Sequence, residues 1–154
     1  MIGATSPAPR EMARIELTIF ADYYQFYIQD DDRFGDLSEA WTEDAVNKLL
    51  AVSDRVVGIG TVRNSDVAVI LETCDELPEL APDQWDRVNK TELECGTGRL
   101  VVAGCTDYFP DAFRLKVEPG TYDLLVGYRN LAVASPNAME GDDSYHLFIA
   151  RQQD

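Results

Sequence analysis

In one short block after another, every second residue of this chain is apolar, and that period restricts its fold more than any motif does. Phe113, Leu115 and Val117 point one way while Arg114, Lys116 and Glu118 point the other, which predicts a half-buried strand. Glu118-Pro119-Gly120-Thr121 then supplies a fixed φ followed by a permissive residue, and Tyr122, Leu124, Val126 and Tyr128 return on one face as a hairpin. The same logic pairs Ile15, Leu17 and Ile19 with Tyr24, Phe26 and Ile28 across Ala21-Asp22. It joins 55–62 to 66–73 through Arg63-Asn64-Ser65, and 86–94 to 99–104 through Gly96-Thr97-Gly98. A last strand over 144–150 turns Tyr145, Leu147 and Ile149 inward.

One segment reads as a helix, 42–52. Thr42 caps it, Glu43 and Asp44 suit its positive end, and Ala45, Val46, Leu49 and Leu50 form an apolar stripe. About nine short strands with one helix indicate a mainly β fold, an antiparallel β-sandwich. Residues 14–152 are expected to form a single domain, since a chain of this length encloses one adequate core. Residues 1–13, with Pro7 and Pro9 and no apolar run, are expected to be a flexible tail without signal-peptide or membrane-span character.

Charge limits the partners. The sequence carries 28 Asp and Glu against 13 Lys and Arg, a formal net charge of -15. Such a surface repels phosphate backbones and anionic lipid and attracts cationic protein, so neither nucleic acid nor membrane is the expected partner. Cys74, Cys95 and Cys105 are odd in number and form no CxxC pair, which argues against a disulfide framework and for a reducing, cytoplasmic setting. They read as small buried apolar residues, although Cys95 and Cys105 stand where a hairpin could join them.

No catalytic motif accompanies the sole histidine, His146, whose phase in the final strand makes it an ordinary surface residue. Asp30, Asp32 and Gly35 match three positions of a calcium loop. Phe34 and Trp41 then occupy ligand positions that need oxygen, so no metal ligand or cofactor is assigned. Gly58 and Gly60 fit strand positions approached by another backbone or a bulky ring. Trp41 and Trp85 read as packing anchors. Alternation sends Tyr24 and Phe26 inward and Tyr23, Gln25 and Tyr27 outward.

The binding surface expected from these readings comprises Tyr23 and Tyr27 with two acidic loops, Asp30, Asp31, Asp32 and Asp36, and Glu140, Asp142 and Asp143. If it is one site, both loops should share one end of the sandwich. Neither has enough bases nearby in sequence to neutralise it.

Tyr23-Tyr24-Gln25-Phe26, Trp41-Thr42-Glu43-Asp44-Ala45, Arg63-Asn64 and Gly120-Thr121-Tyr122, in this order over about residues 15–150, resemble the bacterial competence protein J family. Its members are small inhibitors of a nuclease of DNA uptake. The resemblance implies a non-enzymatic protein whose acidic surface occupies a nuclease's basic DNA cleft, and the charge read independently agrees with it. It supplies no contact residues, because the shared words look structural. The alternatives are a sandwich binding a divalent cation or small ligand at its acidic loops and, third, a hydrolase of unrecognised type.

Overall fold

A computed structural model describes residues 13–32, 36–133 and 140–153. It contains ten strands and one α-helix: β1 (Arg14–Phe20), β2 (Gln25–Asp30), α1 (Glu43–Lys48), β3 (Leu50–Ser53), β4 (Val56–Gly60), β5 (Asp66–Cys74), β6 (Arg87–Cys95), β7 (Arg99–Gly104), β8 (Phe113–Lys116), β9 (Gly120–Arg129) and β10 (Ser144–Arg151). Two five-stranded sheets face each other, ordered β1-β5-β10-β9-β6 and β3-β4-β2-β7-β8. Their pairings are antiparallel except β5 with β10, which is parallel. The fold is therefore the mainly β sandwich that the alternation predicts.

The expected hairpins are not formed. β1 pairs with β5 while β2 pairs with β4 and β7. Likewise β4 and β5, β6 and β7, and β8 and β9 lie in opposite sheets. Each of these short connections is an arch that carries the chain across the core. Gly98 makes one arch possible: its φ of 79° lies in the left-handed region, and a Cβ there would stand 2.9 Å from the Val117 carbonyl oxygen. Two consecutive strands, β3 and β4, do form a hairpin, through Asp54-Arg55.

The helix is shorter than 42–52. Thr42 caps it as expected, its Oγ1 accepting from the Ala45 N–H at 3.1 Å. Leu49, however, adopts a left-handed φ of 61°, ends the helix, and hands the chain to β3. Val46 is consequently exposed, whereas Ala45 and Leu50 are buried.

The inward phases agree with the alternation almost throughout. Phe26, Ile28, Leu124, Val126, Tyr128, Tyr145 and Leu147 are fully buried, and Leu115 and Val117, on and just beyond the edge strand β8, pack against that core half-buried. Tyr145 stands edge-on to Phe26 and Tyr128, with centroids 5.9 and 5.8 Å away. Tyr24 is an exception: it does not point inward but lies exposed in the β1–β2 arch.

Each sheet is also covered on its outer face at a glycine. A Cβ on Gly58 would meet Leu37 and Trp41 at 2.8 Å, and one on Gly127 would meet the Trp85 ring at 2.5 Å. The two tryptophans are the packing anchors expected, and Gly58 is the close-approach position expected. The three cysteines are free, with Cys95 buried and Cys105 exposed at the opposite end of the sandwich. Among the described residues no helix is long and apolar enough to cross a membrane.

Candidate functional site

Strand register separates the residues expected to form one site. On β2, Gln29 lies opposite Val56 on β4, so Asp30 falls at the end of the sandwich that carries Arg55 and the Gly96–Gly98 turn. Gln25 lies opposite Gly60, so the residues that follow Gly60 emerge at the other end, where Arg63 binds Asp143. The two acidic loops therefore do not share one end, and Tyr23 lies with the second of them, its N–H donating to Asn64 Oδ1 at 2.9 Å.

At the first end two of the carboxylates, Asp30 and Asp31, are taken up by the fold. Asp30 has no exposed side-chain surface; it accepts from the Gly96 N–H at 2.8 Å and Thr97 Oγ1 at 2.6 Å, with Arg55 Nη1 at 3.4 Å. Burial alone would raise its pKa, but the bonds from Thr97 and Gly96 outweigh it and hold the carboxyl below its ordinary value. Asp31 lies between Arg114 Nε at 3.0 Å and Arg99 Nε at 2.8 Å, and the Arg114 bond is the main reason its pKa is also lowered. Asp32 reaches Arg55 Nη1 at 3.5 Å, and Glu94 reaches Arg55 Nε at 3.2 Å. Three arginines from distant positions thus neutralise a loop expected to lack counter-charge. Asp36 is exposed and accepts from the Ser38 hydroxyl and N–H, a local turn whose bonds lower its pKa. Of the calcium-loop match, Asp30 is bound by Gly96 and Thr97 and Asp32 pairs with Arg55, while Phe34 and Gly35 lie outside the described residues. Among the described residues no group of three His, Cys, Asp or Glu side chains could hold a metal ion.

The second end is built differently. Asp143 is buried, pairs with Arg63 Nε, and accepts from the Tyr145 hydroxyl at 2.5 Å. Glu140 and Asp142 are exposed, and the Asp142 carbonyl accepts from Asn130. The arch residues Tyr23 and Tyr24 are exposed with φ of 61° and 60°, a left-handed conformation that costs each non-glycine residue about 1 kcal/mol or more. Tyr27 is half-buried on the outer face of the second sheet. Burial there, then Cys105 and Asp107, push its phenol up, against the opposing Arg114.

A third acidic feature lies outside the two loops expected to bind. Between Cys74 and Arg87 the chain carries Asp75, Glu76, Glu79, Asp83 and Asp86 without a single basic residue, a charge run legible from composition alone. It forms a strap over the outer face of the first sheet, with Leu80 and Trp85 against Gly127 and all five carboxylates exposed. Arg129 stacks 3.8 Å from the Trp85 ring and Asp86 accepts from the Leu131 N–H, which fasten the strap.

His146 lies beneath that strap and is not a surface residue. Its ring meets Trp85 edge-on at 4.8 Å, and burial, Arg129 and Arg14 lower its pKa to about 4 against the opposing Glu72. Ser144 Oγ lies 3.0 Å from His146 Nε2, but an imidazole so weakly basic is poorly matched to activating a hydroxyl at neutral pH.

These features define a two-sheet sandwich of acidic sequence, with a segment packed over the outer face of each sheet and three arginines, Arg55, Arg99 and Arg114, paired with carboxylates at one end. ComJ from Bacillus subtilis, inhibitor of the DNA-degrading activity of NucA, has this fold: the TM-score is 0.69 at 15% identity, covering 91% of this chain and 96% of ComJ. The product of crocagin biosynthetic gene J matches with a TM-score of 0.61 at 19% identity, covering 93% and 98%. The chain therefore has a ComJ-like fold, as the sequence resemblance implied. No family description matches the sequence, and no curated protein does.

Proposed function

We propose that this chain is an acidic protein-binding module that inhibits a basic partner, specifically a DNA-degrading nuclease, with no chemistry of its own. The observation that carries the reading is the placement of charge. Arg55, Arg99 and Arg114 are drawn into ion pairs at one end, while the strap and the second end present carboxylates outward. Carboxylates so exposed substitute for DNA phosphates in a basic cleft, and their field accelerates encounter with a cationic partner. The likeness to ComJ, an inhibitor of NucA's DNA-degrading activity, supports the same role. In this reading Tyr23 and Asp142 are exposed for contact, whereas Asp30 and Asp143 act as structural carboxylates.

The test is affinity capture on the immobilised protein from a host-cell extract at low salt, followed by a DNA-degradation assay on the eluate. A captured nuclease that is silenced when free protein is added back is the expected result. Eluates without nuclease activity, or with activity indifferent to added protein, would sink the proposal. Reversing Glu79 and Asp83 to Lys is expected to slow association with the captured nuclease at low salt, with the difference shrinking as the screening length falls to about 8 Å at physiological salt.

A further inference from the structure

Among the described residues seven large hydrophobic side chains are exposed, and the four aromatic ones, Phe20, Tyr23, Tyr24 and Tyr108, gather at one end of the sandwich. Phe20 ends β1 and leads directly into the arch that holds Tyr23 and Tyr24. The connection containing Tyr108 leaves β7 at Gly104 and re-enters the same sheet at Phe113, paired with Val102. Gly104 sits opposite Phe26, and the Phe20 carbonyl oxygen occupies the place a Cβ on Gly104 would need, so the β1 and β7 ends touch. The two segments that carry the aromatics therefore adjoin.

Nothing in the core requires these rings to be outside. Tyr23 and Tyr24 hold left-handed backbone in a position where Gly or Asn would be unstrained, and the arch is braced by Tyr23 N–H bonds to Asp22 Oδ1 and Asn64 Oδ1. Asp22 accepts from the Tyr23 N–H at 3.1 Å and the exposed Asp107 from the Gly104 N–H at 2.8 Å, which places two carboxylates at this end, and Asp142 is exposed there too. Arg63 at this end is committed to Asp143 and Arg129 to the Trp85 ring.

We propose that this aromatic and carboxylate end is the docking surface, and that it takes arginine side chains of a cationic protein partner. A planar guanidinium lies flat on ring faces and its N–H fork donates to carboxylates in pairs, whereas a lysine ammonium, though drawn to the same rings and acids, offers only a point charge without the flat stack or the fork. The inference deepens the proposed function, since it rests on the partner being a basic protein.

The probes are an oligo-arginine and an oligo-lysine peptide of equal length, titrated calorimetrically at low salt into the protein, into Y23A/Y108A, into Y108A alone, and into the strap variant E79Q/D83N. The arginine peptide is expected to bind about tenfold more tightly than the lysine peptide. Y23A/Y108A should lose that preference and Y108A, outside the strained arch, should reduce it. E79Q/D83N should weaken both peptides alike. Equal affinities for the two peptides, no binding of either, or a preference intact in both tyrosine variants would overturn the inference. Arginine preference without capture of a nuclease would remove the proposed function and leave this surface standing.

Discussion

The buried pair Arg63–Asp143 gives the sharpest test of the fold's electrostatics. Asp143 has no exposed side-chain surface and Arg63 only 9%, so removing either one takes a counter-charge from a group held away from water. Asp143→Ala also deprives the Tyr145 hydroxyl of its acceptor, leaving a core phenol that still accepts from the Val62 N–H at 2.9 Å. Breaking a buried ion pair by removing one member costs about 3–5 kcal/mol. With a urea m-value of about 2 kcal/mol/M, that moves the unfolding midpoint down by about 2 M. The double variant Arg63→Met/Asp143→Leu removes both charges at similar volume, and is expected to recover most of the loss. Urea titrations followed by circular dichroism measure all three proteins. A single variant within about 1 kcal/mol of the parent, or a double variant no better than the single, would refute the assignment of this pair as buried and mutually dependent.

Three further outcomes follow from contacts elsewhere. Gly127→Ala places a methyl against the Trp85 ring and should destabilise by about 1–3 kcal/mol, with red-shifted tryptophan emission as the strap lifts; unchanged emission and stability would contradict the packing. His146, with its folded pKa lowered to about 4, stabilises the fold fully above its unfolded value near 6.5. That stability is lost as pH falls from about 6.5 to 4, at up to about 1.4 kcal/mol per pH unit, because the unfolded chain takes up the proton first. His146→Gln should flatten this window in pH-dependent urea midpoints, and identical slopes would mean the ring is solvated. Asp30→Ala should cost about 2–4 kcal/mol through its lost Gly96 and Thr97 bonds, whereas Asp36→Ala should stay within about 0.5 kcal/mol. Equal midpoints for the two variants would return Asp30 to the role of a surface charge.

Alternation exposed nearly all of the strands and their inward residues, because burial of one face acts on each strand separately. It could not decide pairing: a hairpin and an arch preserve the same inward phase, so Phe113–Val117 and Tyr122–Tyr128 look alike whether they pair or face each other across the core. The helix was overdrawn at Leu49 because leucine carries no signal for a left-handed cap. Charge counted along the chain likewise missed the neutralisation of Asp31, since Arg99 and Arg114 are brought to it only by β7 and β8. His146 was placed on the correct face, but the strap that covers that face was not foreseen. The strap's charge run is legible in the sequence, but it coincides with neither strand nor helix, so alternation does not place it over a sheet.

The parallel insertion of β10 has a kinetic consequence. Until Tyr145, Leu147 and Ile149 arrive, β1–β5 and β9–β6 are two separate ribbons with no shared hydrogen bonds. Each two-stranded ribbon is at best marginal in water, and closing the gap joins segments far apart in sequence. Folding is therefore expected to be concerted and slow, on a scale of milliseconds to seconds, with the nascent chain holding unpaired strand edges open until the keystone strand has been synthesised.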